Sequence, residues 1–239
     1  MNRSLVIAID GPSGSGKSTL ARRLAGAYGL AYLDTGSMFR AVTLWCLRRG
    51  VELTDEDAVA EETRRTPLTM VMDPASPRVR LGEEDVTSLL HTADIAAVVS
   101  HVAVNLQVRA WLADLQRHLI EEERVDGFSG GRGIVAEGRD ITTVIAPDAD
   151  ARILLIARTE ARLARRARQR HGAADADAVA ATRDEVVRRD EQDSTVSRFM
   201  DAANGVVKLD NSEFEPPQTF AAACEIVERL TGRAPGMAS

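Results

Sequence analysis

The sequence predicts an α/β fold, a central parallel sheet flanked by helices and carrying two insertions, and three observations support it. Short apolar runs of buried-strand length alternate with segments of helical periodicity. A glycine-rich turn separates the first run from the first helical segment, and two stretches break the alternation, one by β-type and one by helical patterning. Strands alternating with helices imply parallel pairing through right-handed crossovers.

The first strand is read at Leu5 to Ile9, and Ser18 to Tyr28 carries apolar residues at helical spacing. Further strands are expected at Ala31 to Leu33, Ile134 to Ala136, Ile153 to Ala157 and Val206 to Leu209, with helices at Met38 to Arg49 and Phe220 to Leu230. Leu68 to Met72 and Arg78 to Leu81 flank Asp73-Pro74-Ala75-Ser76-Pro77, which reads as two short strands around a Pro-containing turn, an antiparallel insertion. Thr159 to Arg198 is nearly all charge and alanine and is interrupted at His171-Gly172-Ala173-Ala174, the pattern of a helical hairpin standing off the core. Both insertions leave from the edge where a parallel sheet binds ligands. Gly127 to Gly133 lacks the flanking strand and helix of a binding loop and reads as a connector.

With 239 residues, 44% hydrophobic and 28% charged, the chain can bury a real core, and with only 4% aromatics that core must be Ala, Val, Leu and Ile. A net charge of −6 argues against a phosphate-backbone binder, so no nucleic-acid partner is expected. The distant pair Cys46 and Cys224 suggests a reducing cytoplasm. No run approaches membrane-spanning length and the start has no signal-peptide pattern, so the expectation is a soluble cytoplasmic protein that does not bind membranes. Lys17 and Lys208 are the only lysines in this arginine-rich sequence, which makes Lys17 hard to read as one surface lysine among many.

Gly11-Pro12-Ser13-Gly14-Ser15-Gly16-Lys17-Ser18 fits G-x-x-x-x-G-K-[ST] between a strand and a helix. In such a P-loop successive backbone N–H groups turn toward one point and the helix start adds partial positive charge. Lys17 reaches the β and γ phosphates of ATP, and the Ser18 hydroxyl holds Mg²⁺. Residues 11–19, ending at Thr19, are therefore the expected ATP site. A GTPase would carry N-K-x-D, and Val207-Lys208-Leu209-Asp210 lacks the Asn. A small-molecule kinase remains, which must grip a second anion facing the γ phosphate and exclude water. Arginines near strand ends suit a phosphate monoester. Arg40 follows Asp34-Thr35-Gly36-Ser37-Met38-Phe39, Arg139 sits in Glu137-Gly138-Arg139-Asp140, and Arg189 lies in the charged hairpin.

Taken with Gly82-Glu83-Glu84-Asp85-Val86, with Ser100 and Val108-Arg109, and with Arg188-Arg189-Asp190-Glu191-Gln192-Asp193-Ser194, these segments resemble the bacterial cytidylate kinases along essentially the whole chain. Adenylate kinases would show D-G-[FY]-P-R where this chain has Glu-Gly-Arg-Asp. The resemblance implies a P-loop nucleoside monophosphate kinase fold. Residues 1–34, 109–157 and 199–239 would form the core, 35–108 an acceptor-binding domain with a β insertion at about 64–90, and 158–198 a lid; the tail 232–239 is expected to be disordered. It assigns Thr35, Arg109 and Asp140 to the cytosine, Ser100, Arg189 and Asp193 to the pentose, and Arg40 and Arg139 to the acceptor phosphate, with Lys17, Arg139 and Arg189 catalytic.

Cytosine offers an N4 donor to a carboxylate such as Asp140 and acceptors at N3 and O2 to an arginine such as Arg109, a pattern that uracil reverses. From the residues alone, Asp140 and Thr35 could instead cap the helices that follow them, Ser100 could bond its own backbone, and Asp193 could simply pair with Arg189. Trp45, Cys46 and Trp111 read as core. The family's next arginine after the Asp193 position is here Val196, with Arg198 two residues late. Its tyrosine is Phe39, its glycine after Ile141 is Thr142, and its phenylalanine before Pro147 is Ala146.

The implied activity is transfer of the γ-phosphoryl group of ATP to CMP, with dCMP a second acceptor, by a monomer using Mg²⁺. In that reading lid arginines, Arg189 with Arg162, Arg165 or Arg166, close over the transferring group. The alternatives are a P-loop kinase for another small acceptor and a catalytically impaired nucleotide-binding sensor.

Overall fold

The computed structural model describes residues 4–171, Thr195 and 201–236. In chain order the elements are Leu5–Asp10 (β1), Lys17–Tyr28 (α1), Ala31–Asp34 (β2), Thr35–Arg48 (α2), Glu56–Arg64 (α3), Leu68–Val71 (β3), Arg78–Leu81 (β4) and Glu84–Asp85 (β5). After a 3-10 turn at Leu89–His91 come Ala93–Ala103 (α4), Leu106–Val125 (α5), Gly133–Gly138 (β6), a π-helical turn at Ile141–Ile145, Ala151–Ile156 (β7), Thr159–His171 (α6), Val207–Asp210 (β8) and Pro216–Thr231 (α7).

The main sheet has the order β2-β6-β1-β7-β8 and every neighbouring pair is parallel. Every residue of β1 and β6, the strands at its centre, is buried. Helices on both faces demand continuous apolar runs there in place of alternation. One core, including Met38, Val42, Leu112 and Ile134, lies between the sheet and α2, α3 and α5; the other, including Ile7, Leu24, Ile153 and Val227, lies under α1 and α7. A small third cluster of Ala41, Val79, Leu81, Val86 and Leu90 seats the antiparallel sheet β3-β4-β5 on α2. Trp111 packs at the edge of the first core, and Cys46 is fully buried in it.

Register decides what the sheet presents. Asp10 pairs with Gly138 and Asp34 with Glu137, so the segments that leave β1, β2 and β6 emerge side by side at the carboxyl edge. The insertion has a third strand, β5, beyond the two expected; it is two charged, exposed residues long and carries no pattern to read. The tail differs as well. Gly232 closes α7 with φ 72°, and the Gly236 N–H donates to the Ala27 carbonyl at 2.9 Å, so the chain is held against α1 up to residue 236 where disorder was expected from 232. Arg189, Asp193, Val196 and Arg198 lie outside the described residues. Among the described residues no single helix is long and apolar enough to cross a membrane.

Candidate active site

At the carboxyl edge of the sheet a cleft of about 740 Å³ is bounded by the turn after β1, the start of α2, α4, α5, the loop after β6, α6 and the loop after β8. One end is backbone. Gly11 takes φ 151°, where a side chain would be strained, and a Cβ there would overlap the Leu155 carbonyl of β7. Gly16 takes φ 93° as the residue before α1, whose first turn receives no side-chain cap. Unmet N–H groups at a helix start, with the partial charge of the helix, attract an anion. Lys17 Nζ donates to the Pro12 carbonyl at 3.0 Å, so the lysine folds back across the turn. Ser18 Oγ donates to Glu137 Oε1 at 2.5 Å.

Glu137, 4% exposed, also accepts from the Tyr32 hydroxyl at 3.4 Å. Burial first, then the neighbouring Asp34, pushes its carboxyl up to about 7, while Lys17, the Ser18 bond and Arg139 pull the other way. Asp34 is held in place as the cap of α2, accepting from the Ser37 N–H at 3.1 Å and the Ser37 hydroxyl at 2.7 Å.

The other end is built of side chains. Arg40, 4% exposed, donates to the Leu90 carbonyl at 2.9 Å, which fixes both its guanidinium and the 3-10 turn. Arg139 donates to the Gly11 carbonyl and so reaches the mouth of the glycine turn. Arg109 is bonded to Asp140, donates to the Ala103 carbonyl at 3.0 Å, and lies 5.8 Å from the centroid of the Phe39 ring. It projects from α5, whose start is capped by Asn105 accepting from Gln107 N–H at 3.0 Å and Val108 N–H at 3.2 Å.

Ser13 to Thr19, Thr35, Arg40, Ser100, Arg109, Arg139 and Asp140 all line this one cleft, while Gly11 and Pro12 meet it through their carbonyl partners Arg139 and Lys17. Two alternative readings are resolved. The cap of α2 is Asp34, and Thr35 instead donates its hydroxyl to the Glu137 carbonyl at 2.9 Å. Asp140 precedes the π-helical turn without capping it and pairs with Arg109.

On the lid side, Arg162 is 5% exposed and donates to the Ser13 carbonyl at 3.0 Å; Arg165 donates to the Asn211 carbonyl at 2.6 Å and the Phe214 carbonyl at 3.2 Å. Arg162 thus braces the glycine turn and Arg165 the loop after β8, and Arg165 also lines the cleft. Sequence reading gave no role to Glu137, Asp34 or Asn211. The first two stand inside quoted motifs, and only strand register reveals that they meet.

Residues 7–229 match the family model for cytidylate kinase. The chain belongs to the cytidylate kinase family. Similar members include a cytidylate kinase of Nocardia farcinica, 44% identical over 211 residues that cover 87% of each chain, and one of Rhodococcus opacus, 44% identical over 231 residues, 96% of this chain and 97% of that one. A third, from Streptomyces avermitilis, is 36% identical over 226 residues, 94% of this chain and 93% of the relative. The backbone-lined end and the arginine-lined end open into one cleft.

Proposed function

We propose that the chain transfers the γ-phosphoryl group of ATP to CMP, and to dCMP, releasing ADP and CDP or dCDP. One observation carries the reading: a backbone cradle and an arginine-lined pocket with a paired Arg109 and Asp140 open into the same cleft. The relatives that cover nearly all of this chain bear the name cytidylate kinase.

In this mechanism residues 11–19, through the backbone N–H groups of all but Pro12, and Lys17 bind the β and γ phosphates of ATP, and Arg40 and Arg139 hold the acceptor phosphate in line with them. The acceptor is already an anion, so no general base is required. Catalysis consists of positioning and charge neutralisation. Asp140 accepts from the cytosine N4 amino group and Arg109 donates to N3 or O2; uracil would leave these groups opposed or unpaired. Thr35 completes the base pocket, and Ser100, with Arg189 and Asp193 from the lid, meets the pentose.

A Mg²⁺ site fits the residues present. The Ser18 hydroxyl would be a direct ligand, with the Glu137 and Asp34 carboxylates beside it, all oxygen donors. When bound, it supplies charge neutralisation at the β and γ phosphates. The division into core, acceptor-binding domain (35–108) and lid (158–198), a monomeric state and a cytoplasmic setting complete the reading.

Phosphorylation of CMP, dCMP, UMP and AMP by Mg·ATP, followed by chromatography of products, tests it. CDP and dCDP are expected as the main diphosphates. A preference for AMP or another small acceptor, or tight ATP binding with no diphosphate formed, contradicts it.

A further inference from the structure

Asp10 ends β1 immediately before the glycine turn, is 2% exposed, and has no part in the mechanism above. Its carboxylate reaches across to the segment after Arg139 and Asp140. Oδ1 accepts from the Ile141 N–H at 2.9 Å, and Oδ2 accepts from the Thr142 N–H at 2.8 Å and the Thr142 hydroxyl at 2.6 Å. These are the leading N–H groups of the π-helical turn Ile141–Ile145. The residue that opens such a turn ordinarily satisfies them with its own side chain. That residue is Asp140, whose carboxylate makes no capping bond and meets Arg109 instead.

We infer that Asp10 is a positioning residue for the acceptor site: by capping this turn from the neighbouring strand it frees the Asp140 carboxylate for the base and fixes Arg139 and Asp140 relative to the donor cradle. Two further observations agree. The parallel register between β1 and β6 ends at Asp10 and Gly138, so beyond it the two segments are joined by the Asp10 bonds and by Arg139 on the Gly11 carbonyl. Burial raises the Asp10 carboxyl above its ordinary value in spite of three bonds that favour the charge, so an acidic side chain is kept where burying it is costly, with all three bonds directed at this turn.

The inference rests on the acceptor roles proposed for Arg139 and Asp140. Steady-state constants for CMP, UMP and ATP in Asp10→Asn, Thr142→Val and Thr142→Ser variants test it. In Asp10→Asn the KM for CMP is expected to rise about tenfold, and the preference for CMP over UMP to narrow, while the KM for ATP moves less than about threefold. Thr142→Val, which keeps the shape and loses only the hydroxyl bond, should move the same quantities the same way by roughly three- to fivefold. Thr142→Ser should restore them, and this pair decides the matter if Asp10→Asn does not fold. CMP and ATP constants shifting together, or a change in thermal stability alone, overturns the inference. An unchanged CMP preference in Asp140→Ala overturns the underlying acceptor reading; a lost preference there, with the Asp10 and Thr142 variants inert, overturns the inference alone.

Discussion

At the proposed donor end of the cleft the phosphate cradle is one unbroken stretch, residues 13–19, with α6 and the loop after β8 beside it, whereas the proposed acceptor end takes Arg40 from α2, Ser100 from α4, Arg109 from α5 and Arg139 with Asp140 from the loop after β6. The first is a backbone shape that a local sequence can specify, needing glycine where φ is 151° at Gly11 and 93° at Gly16. The second exists only once four elements have packed. Damage to the core or to a helix start should therefore reach the acceptor before the donor, and each substitution below is a way to break or sharpen that asymmetry.

The largest effect is expected for Lys17→Ala. Loss of the cation over the transferring group should lower kcat by about 10²- to 10³-fold for every acceptor, with thermal stability nearly unchanged. A variant that lost only CMP affinity would place Lys17 on the wrong side of the cleft. Asp140→Ala should act on one side alone. Leaving the cytosine N4 donor and Arg109 without their partner costs about 1–3 kcal/mol, so kcat/KM for CMP should fall roughly 5- to 150-fold, with the KM for ATP unchanged and UMP gaining relative to CMP.

Glu137 lies between the two ends, and its effect is a pH dependence. Its carboxyl stands at about 7 in the folded chain against an ordinary 4.5, so the native state holds this proton more tightly than the unfolded one. The resulting stability is fully present below the unfolded value and is lost as pH rises through the folded one. Without nucleotide or metal, the Tm of the wild type should therefore fall more steeply between about pH 5 and about pH 7 than that of Glu137→Gln. Parallel curves would show that the carboxylate is already ionised throughout. The smallest effect is expected from Asn105→Ala, far from any phosphate. Removing the cap of α5 should cost about 1 kcal/mol in chemical denaturation, and because α5 carries Arg109 it should raise the KM for CMP and not that for ATP.

The same asymmetry governs what could be read from residues. Gly11 to Ser18 is legible because its function is its local geometry, and β1, β2, β6 and β7 are legible because strands buried on both faces become apolar runs; the edge strand β8, with Lys208 and Asp210 exposed, is read from Val206, Val207 and Leu209. Arg40, Arg109 and Arg139 became candidates through order, spacing and family likeness, and only packing brings them to one cleft. Other features left little signal. β5 is too short for a pattern, and α5 spreads Arg, His and Glu so widely over its exposed faces that the apolar stripe of Val108, Leu112 and Ile120 is diluted. Arg162 and Arg165 stand in a charged stretch where nothing local marks out the arginines that reach the Ser13 and Asn211 carbonyls. Asp10 and Glu137 look alike as acids before or within a motif, and strand register alone separates the one facing Thr142 from the one facing Ser18.

The structure of the chain with CMP bound addresses the central claim most directly. The cytosine N4 amino group should lie within hydrogen-bond distance of the Asp140 carboxylate, with the phosphate between Arg40 and Arg139 and facing the turn of residues 11–18. A nucleotide seated with its base away from Asp140, or its phosphate away from both arginines, would contradict it.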